Sequence, residues 1–410
     1  MTIAAQLNPA ELTLVPATPE QAVQVRTNTI EWAEQDAETI VDENGVQHKR
    51  MVVWYVGGKG PQLTSRLLVP RSTILSTDPV TSSASPAEIY SHFETYRVPA
   101  LLSEAETDEA RNVTAYSVGT VWTPPEHRRK GYARLALQLG HYVMAKPEYL
   151  PPFPNSWGAP PPIVLGDGAA STLYSDVGPK YYQSCTIGED RDGWKEQGSV
   201  IHEWEAGEQV TDVPGWEWIT SFERLRALEG LAQAETRRKL AKKGRTRIAL
   251  LATGSSLTAH HNRSLLRLPF PDTALPARPT ALAAYNSETQ SLLVFCPSNG
   301  AVIYPPFENK GKTLEISRVI GDVPWEVVLQ ASRREGCVRV ESWGPDAGME
   351  HWPRGRIVER GDLYSMMAFY PPLQPGEKEP LWEENGLWVP YRTWNFEQVL
   401  RKRPYAGVFA

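Results

Sequence analysis

Residues 120–140, TVWTPPEHRRKGYARLALQLG, join a β-prone run to a helix-forming one through three cations and a glycine. Val118, Val121 and Trp122 have the branched or aromatic side chains of a strand end, and Pro124-Pro125 stops it. From Ala133 onward, Leu135, Leu139, Tyr142 and Val143 recur at helical spacing. Between the two runs lie Arg128, Arg129, Lys130 and Gly131. Successive N–H groups at a helix N-terminus form a concave, partly positive nest for phosphate oxygens. A glycine there lets the backbone approach a ligand closely. Strand, cationic glycine turn and helix in this order predict an α/β fold with an anion site at the junction; the bland alternative is a solvated basic helix start. The pattern [Gln/Arg]-x-x-Gly-x-[Gly/Ala] is met by Arg128, Gly131 and Ala133 and nowhere else in the chain. Average residue frequencies give about 0.4 chance matches at this length, so its setting carries the weight. A Walker A loop is excluded, because Pro306 stands where Gly311-Lys312-Thr313 would need the first glycine.

The 410 residues suffice for two or three domains with a substantial core. A net charge of -6 and a pI of about 5.9 argue against a general nucleic-acid or anionic-membrane binder. Cys185, Cys296 and Cys337 are far apart and match neither a zinc spacing nor a disulfide framework, so no metal is expected. The start MTIAAQLNPAELTLV lacks a basic region followed by an apolar core, and no run approaches membrane-spanning length. The expectation is a soluble cytoplasmic protein.

Along the chain, LTLVP reads as a strand and Thr18 as the N-cap of a helix. RMVVWYVGG reads as a buried strand, residues 70–86 as a loop, and HFETYRVPALL as a return to the sheet. Residues 151–162 are too proline-rich for regular structure. ASTLYSDVG reads as a strand followed by a short helix. Residues 221–244 read as one helix with Ser221 as N-cap and Gly244 as stop. RIALLAT, TALAAYN, SLLVFCP and TLEISRVI follow as strands, then a helix, PWEVVLQASRREG, and a strand, VRVESWG. A boundary near 195–220 divides the chain into domains 1–200 and 215–410. Both parts run through strands into a helix and a strand, as a degenerate repeat of one fold would, without a residue-level repeat.

SVGTVWTPPEHRRKGYA resembles the acetyl-CoA-binding motif of the GCN5-related N-acetyltransferases (GNAT). More closely, it is similar to the fungal lysine N-acetyltransferase branch, where a strand ending in Thr-Pro-Pro leads into Arg-x-x-Gly-Tyr-Ala. PATPEQA, FETYRVPAL and LYSDVGPKYYQ agree in order, so the resemblance covers roughly residues 10–190. It implies a GNAT fold with a mixed, splayed sheet, and the second α/β domain (215–410) would be GNAT-like and cover the acceptor side. It also implies acetyl-CoA as co-substrate. Backbone contacts would come from Val121, Trp122 and Thr123, with the pyrophosphate on Arg128, Arg129, Lys130, Gly131, Tyr132 and Ala133. Arg129 departs from the glycine usual in the close branch.

Direct transfer needs a neutral amine, an oxyanion donor and a proton for the leaving thiolate. A lysine ε-amine has an ordinary pKa of about 10.4, so a base or a desolvated site must take its proton. The oxyanion donor would be a backbone N–H of residues 121–123. The family's acid is a tyrosine in a pattern like Tyr-x-x-x-Gly-Phe. Tyr182 fits it, although Thr186-Ile187 replaces Gly-Phe, and Tyr174 is the reserve. Glu94 is the first choice of base, with Asp167, Asp176 or a water chain as alternatives; its bland reading is an ion-pair partner for Arg97. His127 reads as a cap or a solvent-facing side chain, and His260-His261 is weak as a metal site. The resemblance implies acetylation of a small primary amine, free L-lysine in the closest branch. The aromatic loop at 150–162 favours a larger amine metabolite or xenobiotic, and a catalytically silent acyl-CoA-binding protein is a third reading. For most of the 14 tryptophans, packing is the expected use.

Overall fold

The computed structural model describes residues 8–28, 37–41, 47–51, 63–162, 166–175, 177–198, 200–207, 212–251, 281–299, 312–343, 349–359 and 364–383. In chain order the elements are β1 (Leu12–Pro16), α1 (Pro19–Asn28), β2 (Ala37–Val41), β3 (Gln47–Met51), β4 (Leu63–Pro70), β5 (Ile74–Leu75) and β6 (Asp78–Ser82). Then come β7 (Ser91–Ser103), β8 (Arg111–Trp122), α2 (Tyr132–Met144), β9 (Gly168–Ser175), α3 (Pro179–Gln183), β10 (Lys195–Glu196) and β11 (Val200–Glu205). They are followed by β12 (Glu217–Ile219), α4 (Phe222–Arg226), α5 (Glu229–Leu240), β13 (Arg247–Leu250), β14 (Ala283–Asn286), β15 (Ser291–Asn299) and β16 (Lys312–Ile320). Last are α6 (Trp325–Glu335), β17 (Arg339–Trp343), β18 (Arg356–Glu359), β19 (Tyr364–Phe369) and β20 (Leu381–Trp382).

Two mixed sheets carry the fold. In the first, the order is β1-β4-β7-β8-β9-β19-β10; in the second it is β12-β14-β15-β16-β17-β11-β18. The two paths match strand for strand: every neighbouring pair is antiparallel except β8/β9 in one and β16/β17 in the other. A helix bridges each parallel pair, α2 in the first and α6 in the second. The expected fold repeat is therefore written in topology, where side-chain identity does not preserve it. In the first sheet β13 also lies along the C-terminal half of β7, with β20 beside it.

The sheets do not divide the chain at one point. Against the expected units 1–200 and 215–410, β11 lies before residue 215 yet belongs to the second sheet, and β13, β19 and β20 lie after it yet belong to the first.

Alternation along β7 assigns the two faces of the first sheet. Phe93 lies under α2 with Leu12, Leu14, Leu68, Val118, Leu135, Leu139 and Leu173. Ala100 and Leu102 lie on the opposite face with Ala115, Ala170, Ile248, Leu250, Met367 and Trp382. Gly140 of α2 sits where an added Cβ would come within 2.9 Å of the Phe93 ring, so a glycine lets helix and sheet close together.

Beneath α2, His141 is fully buried and bonds Tyr370 Oη (3.1 Å) and the Cys185 carbonyl (3.0 Å), with Trp194 4.0 Å from its ring. Burial pulls its pKa down to about 3, against the backbone bond that favours the cation. The folded state therefore keeps His141 neutral, whereas the unfolded chain protonates it below about 6.5. This contribution is complete above that value and declines as the pH falls towards 3. Between pH 7 and 4.5 wild type should lose about 2 kcal/mol more stability than His141→Gln, read as urea midpoints at both pH values. Parallel pH slopes would contradict the assignment.

Several local readings change. Residues 70–86 hold a tight turn and the β5/β6 hairpin, closed by Thr73–Ser82 and Ser83–Thr73 hydrogen bonds. The helix expected over 221–244 is two helices, α4 and α5, separated at residues 227–228. Ser221 does cap the first, accepting from Arg224 N at 3.1 Å. Most of RMVVWYVGG lies outside the described residues.

Candidate functional site

β8 and β9 pair from Thr114↔Gly168 to Ser117↔Thr172 and then part. Val118–Trp122 and Leu173–Ser175 thus form the two arms of an opening, the splay expected from the sequence. The pairing of β16 with β17 ends at Ile316↔Ser342.

In the first sheet the opening leads into the cationic turn. Gly131 is the N-cap of α2 at φ +81°, and the first helical bond runs from Leu135 N to the Gly131 carbonyl. The N–H groups ahead of it therefore point out of the helix end. Arg129 also takes a left-handed backbone, φ +61°. An L side chain in this conformation costs about 1–2 kcal/mol. Arg129 and Gly131 are exposed, as is Arg134 one turn on. Arg128 folds back on the strand, donating from Nε to the Thr123 carbonyl (2.9 Å) with its guanidinium 6.0 Å from the Trp122 ring centre. Lys130 Nζ donates to the Glu126 carbonyl (2.9 Å). His127 meets the Ala87 carbonyl (3.1 Å), as a capping residue would. A left-handed glycine, outward N–H groups and exposed cations suit a diphosphate.

The counterpart turn before α6 keeps a left-handed glycine, Gly321 at φ +68°, but lacks the cations. Gly321 is followed by Asp322, Pro324 precedes the helix, and no arginine or lysine intervenes. Trp204, Trp325 and Trp352 form a triangle of rings 5.4–5.8 Å apart there, with Trp352 Nε1 bonded to the Val323 carbonyl (2.7 Å). These tryptophans are packing.

On the face away from α2, the pairing of β7 with β8 slips. His92 faces Trp122 and Glu94 faces Gly119, so β8 carries one extra residue. Thr120 in this bulge has φ +52°, a conformation that a β-branched residue rarely adopts. Its Oγ1 donates to Glu94 Oε2 (2.9 Å), and Tyr96 Oη donates to the same oxygen (3.0 Å). Glu94 is buried at 6 % exposure. It does not pair with Arg97: three residues apart on a strand, the two point to opposite faces. Arg97 instead binds Asp167, with Nε–Oδ2 at 3.2 Å.

Asp167 also accepts from Tyr116 Oη (2.9 Å) and Thr114 (3.0 Å). Burial alone would raise its pKa, but these donors outweigh it and hold the carboxyl low. Burial and the bond to Asp167 push Tyr116 up to about 12. This network lies at the start of β9, the end remote from the opening, which removes Asp167 as a base. Asp176 and His260-His261 lie outside the described residues, and no metal-ligating cluster occurs among the described ones.

The two tyrosines fall on opposite sides. Tyr182, on α3, packs against the α2-side core, with Trp194 at 6.2 Å and Tyr181 at 5.2 Å. Tyr174, on β9, lies on the Glu94 face with Trp382 at 5.5 Å. Glu94, Gly119 and Tyr174 fall on one transverse row, since Gly119 and Tyr174 each stand two residues past the last β8/β9 pair. The aromatic loop turns inward: Phe153 and Trp157 pack on Tyr142 of α2 at 4.9 and 6.2 Å. The case for a larger amine metabolite or xenobiotic as acceptor loses those rings.

No helix among the described residues is long and apolar enough to cross a membrane. No family model matches the sequence, and no curated protein sequence matches it. Similar solved structures include a probable N-acyltransferase from Enterococcus faecalis, 10 % identical, covering 88 % of this chain and 72 % of that one at a TM-score of 0.44. A GCN5-related N-acetyltransferase from Anabaena variabilis is 11 % identical, covering 88 % and 73 % at 0.46. Eis1 from Mycobacterium abscessus is 10 % identical, covering 88 % and 73 % at 0.42.

Proposed function

We propose that this chain is an acyl-CoA-dependent N-acetyltransferase of the GNAT type acting on a small primary amine. Free L-lysine is the acceptor that its sequence resemblance implies. The observation that carries the reading is the parting of β8 from β9 directly ahead of the Gly131 turn. A pantetheine arm needs an unpaired strand edge, and a pyrophosphate needs a nest at the end of the same edge.

When bound, acetyl-CoA supplies the acyl thioester and a thiolate leaving group. Gly131, Tyr132 and Ala133 hold the pyrophosphate by backbone N–H groups, and Arg128, Arg129 and Lys130 add charge. Val121, Trp122 and Thr123 present backbone to the arm. Glu94, held by Tyr96 and Thr120, takes the proton of the acceptor ammonium. The amine nitrogen then forms its bond to the acyl carbon as the carbon–sulfur bond breaks, and the second proton that this nitrogen sheds restores the phenol that protonates the sulfur. Tyr182 gives the departing sulfur its proton, with Tyr174 as the reserve. The second sheet covers the acceptor side and has no cationic turn of its own.

The test is a panel of primary amines incubated with acetyl-CoA and purified protein, read by mass spectrometry of the products. A gain of one acetyl group on L-lysine or a similarly small amine supports the reading. CoA-dependent binding without any acetylated product would leave a silent acyl-CoA-binding protein.

A further inference from the structure

The Glu94 face holds buried donors that the protein itself leaves unanswered. Ser65 on β4 stands directly opposite Glu94, and Trp122 on β8 directly opposite His92. Because paired residues share a face, the four side chains form one patch two rows deep across three strands. All four are buried, at 0–6 % exposure. Ser65 Oγ and Trp122 Nε1 have no hydrogen-bond partner among the described residues. The Glu94 carboxylate accepts from Tyr96 and Thr120, and Ser65 Oγ is not among its donors.

A buried donor without an acceptor costs free energy, and native proteins rarely keep one without a use. Two of them flank the carboxylate assigned to the acceptor ammonium. We infer that Ser65 Oγ and Trp122 Nε1 are specificity contacts for the acceptor. They would donate to a hydrogen-bond-accepting group that the acceptor carries beside its amine, and so select against plain alkylamines. This rests on the acetyltransferase reading and deepens it: the patch side chains would meet the acceptor, while Trp122 meets the acyl donor through its backbone alone.

The consequence is an opposition between stability and recognition. Ser65→Ala removes an unpartnered hydroxyl, so the free protein should melt at the same or a higher temperature. The same change should raise KM about 3- to 10-fold for an acceptor that carries a carboxylate or hydroxyl, with kcat little altered. KM for an alkylamine of matched length should not move. Trp122→Phe, which keeps an aromatic ring beside His92 but loses the N–H, should raise the ratio of the two KM values, polar amine over alkylamine, by a similar factor.

Steady-state kinetics on the two amines, with a melting curve for each variant, decide the matter. An unchanged KM for the polar amine, or an equal rise for both amines, would overturn the inference while the acetyltransferase reading stands. A lowered melting temperature in Ser65→Ala would also overturn it, because the hydroxyl would then have a structural partner. Failure to acetylate any amine would overturn the reading and the inference together.

Discussion

Replacing Tyr182 with phenylalanine is expected to lower kcat by about 10²- to 10⁴-fold, the usual cost of losing a positioned acid, with acetyl-CoA affinity nearly intact. Only the hydroxyl is lost. The ring keeps its edge contacts with Trp194 and Tyr181, and the main-chain carbonyl still accepts from Cys185 N and Trp194 N, each at 3.2 Å. A kinetic defect would therefore report chemistry and not a disturbed α3. Tyr174→Phe is the companion variant. Its ring rests on Trp382 on the face shared with Glu94, so the variant should fold normally and lose much less rate. Rapid-quench kinetics of both variants check the assignment. A crippled Tyr174→Phe beside an active Tyr182→Phe would reverse the roles, and two active variants would make water the acid.

A chain ending at residue 215 is expected not to fold. It would keep the cationic turn and lose β13, β19 and β20 from the sheet that carries it. β9 would become an open edge where it now pairs with β19 over Ala170–Ser175. Tyr370 and Trp382, 0 % and 1 % exposed, would be absent, with Met366, Met367, Ile248 and Leu250. Each such side chain contributes about 1.5–3 kcal/mol by burial, so the sum reaches the whole stability of an ordinary domain. Arg191 Nη1, which binds the Tyr370 carbonyl at 3.1 Å, would lose that acceptor. Thermal melting of the purified fragment tests this. A soluble fragment with a cooperative transition would contradict the interleaved first sheet.

The elements nearest the site were legible because their signals are local. Pro124-Pro125, the cations, Gly131 and the apolar spacing of α2 are read within one stretch of sequence, as is Ser221 as a cap. What stayed hidden depends on pairing. RIALLAT reads as a strand, but nothing in it says that it lies beside β7 and not in the second sheet. Glu94 is a carboxylate in a strand until the register places it against Ser65 and Gly119, away from Arg97. His92 and Trp122 become neighbours only through the bulge, and the bulged residue is a threonine, where glycine would have signalled the conformation. Arg129 is a further case: it reads as one more cation of the turn, and only the structure gives its left-handed backbone.

The opening between β8 and β9, ending in the Gly131 turn, is where acyl-CoA is expected to bind. Titration calorimetry of acetyl-CoA into wild type and Gly131→Asp tests it most directly. The variant puts a side chain at a φ that favours glycine and a carboxylate into a nest built for anions, so two independent effects oppose binding. Circular dichroism of both proteins should be the same, since the position is exposed. Wild type should bind saturably, more weakly with added salt, and the variant should lose about 100-fold or more in affinity, the scale of repelling a diphosphate inside a partly closed site. A folded Gly131→Asp that binds acetyl-CoA as tightly as wild type would place the site elsewhere.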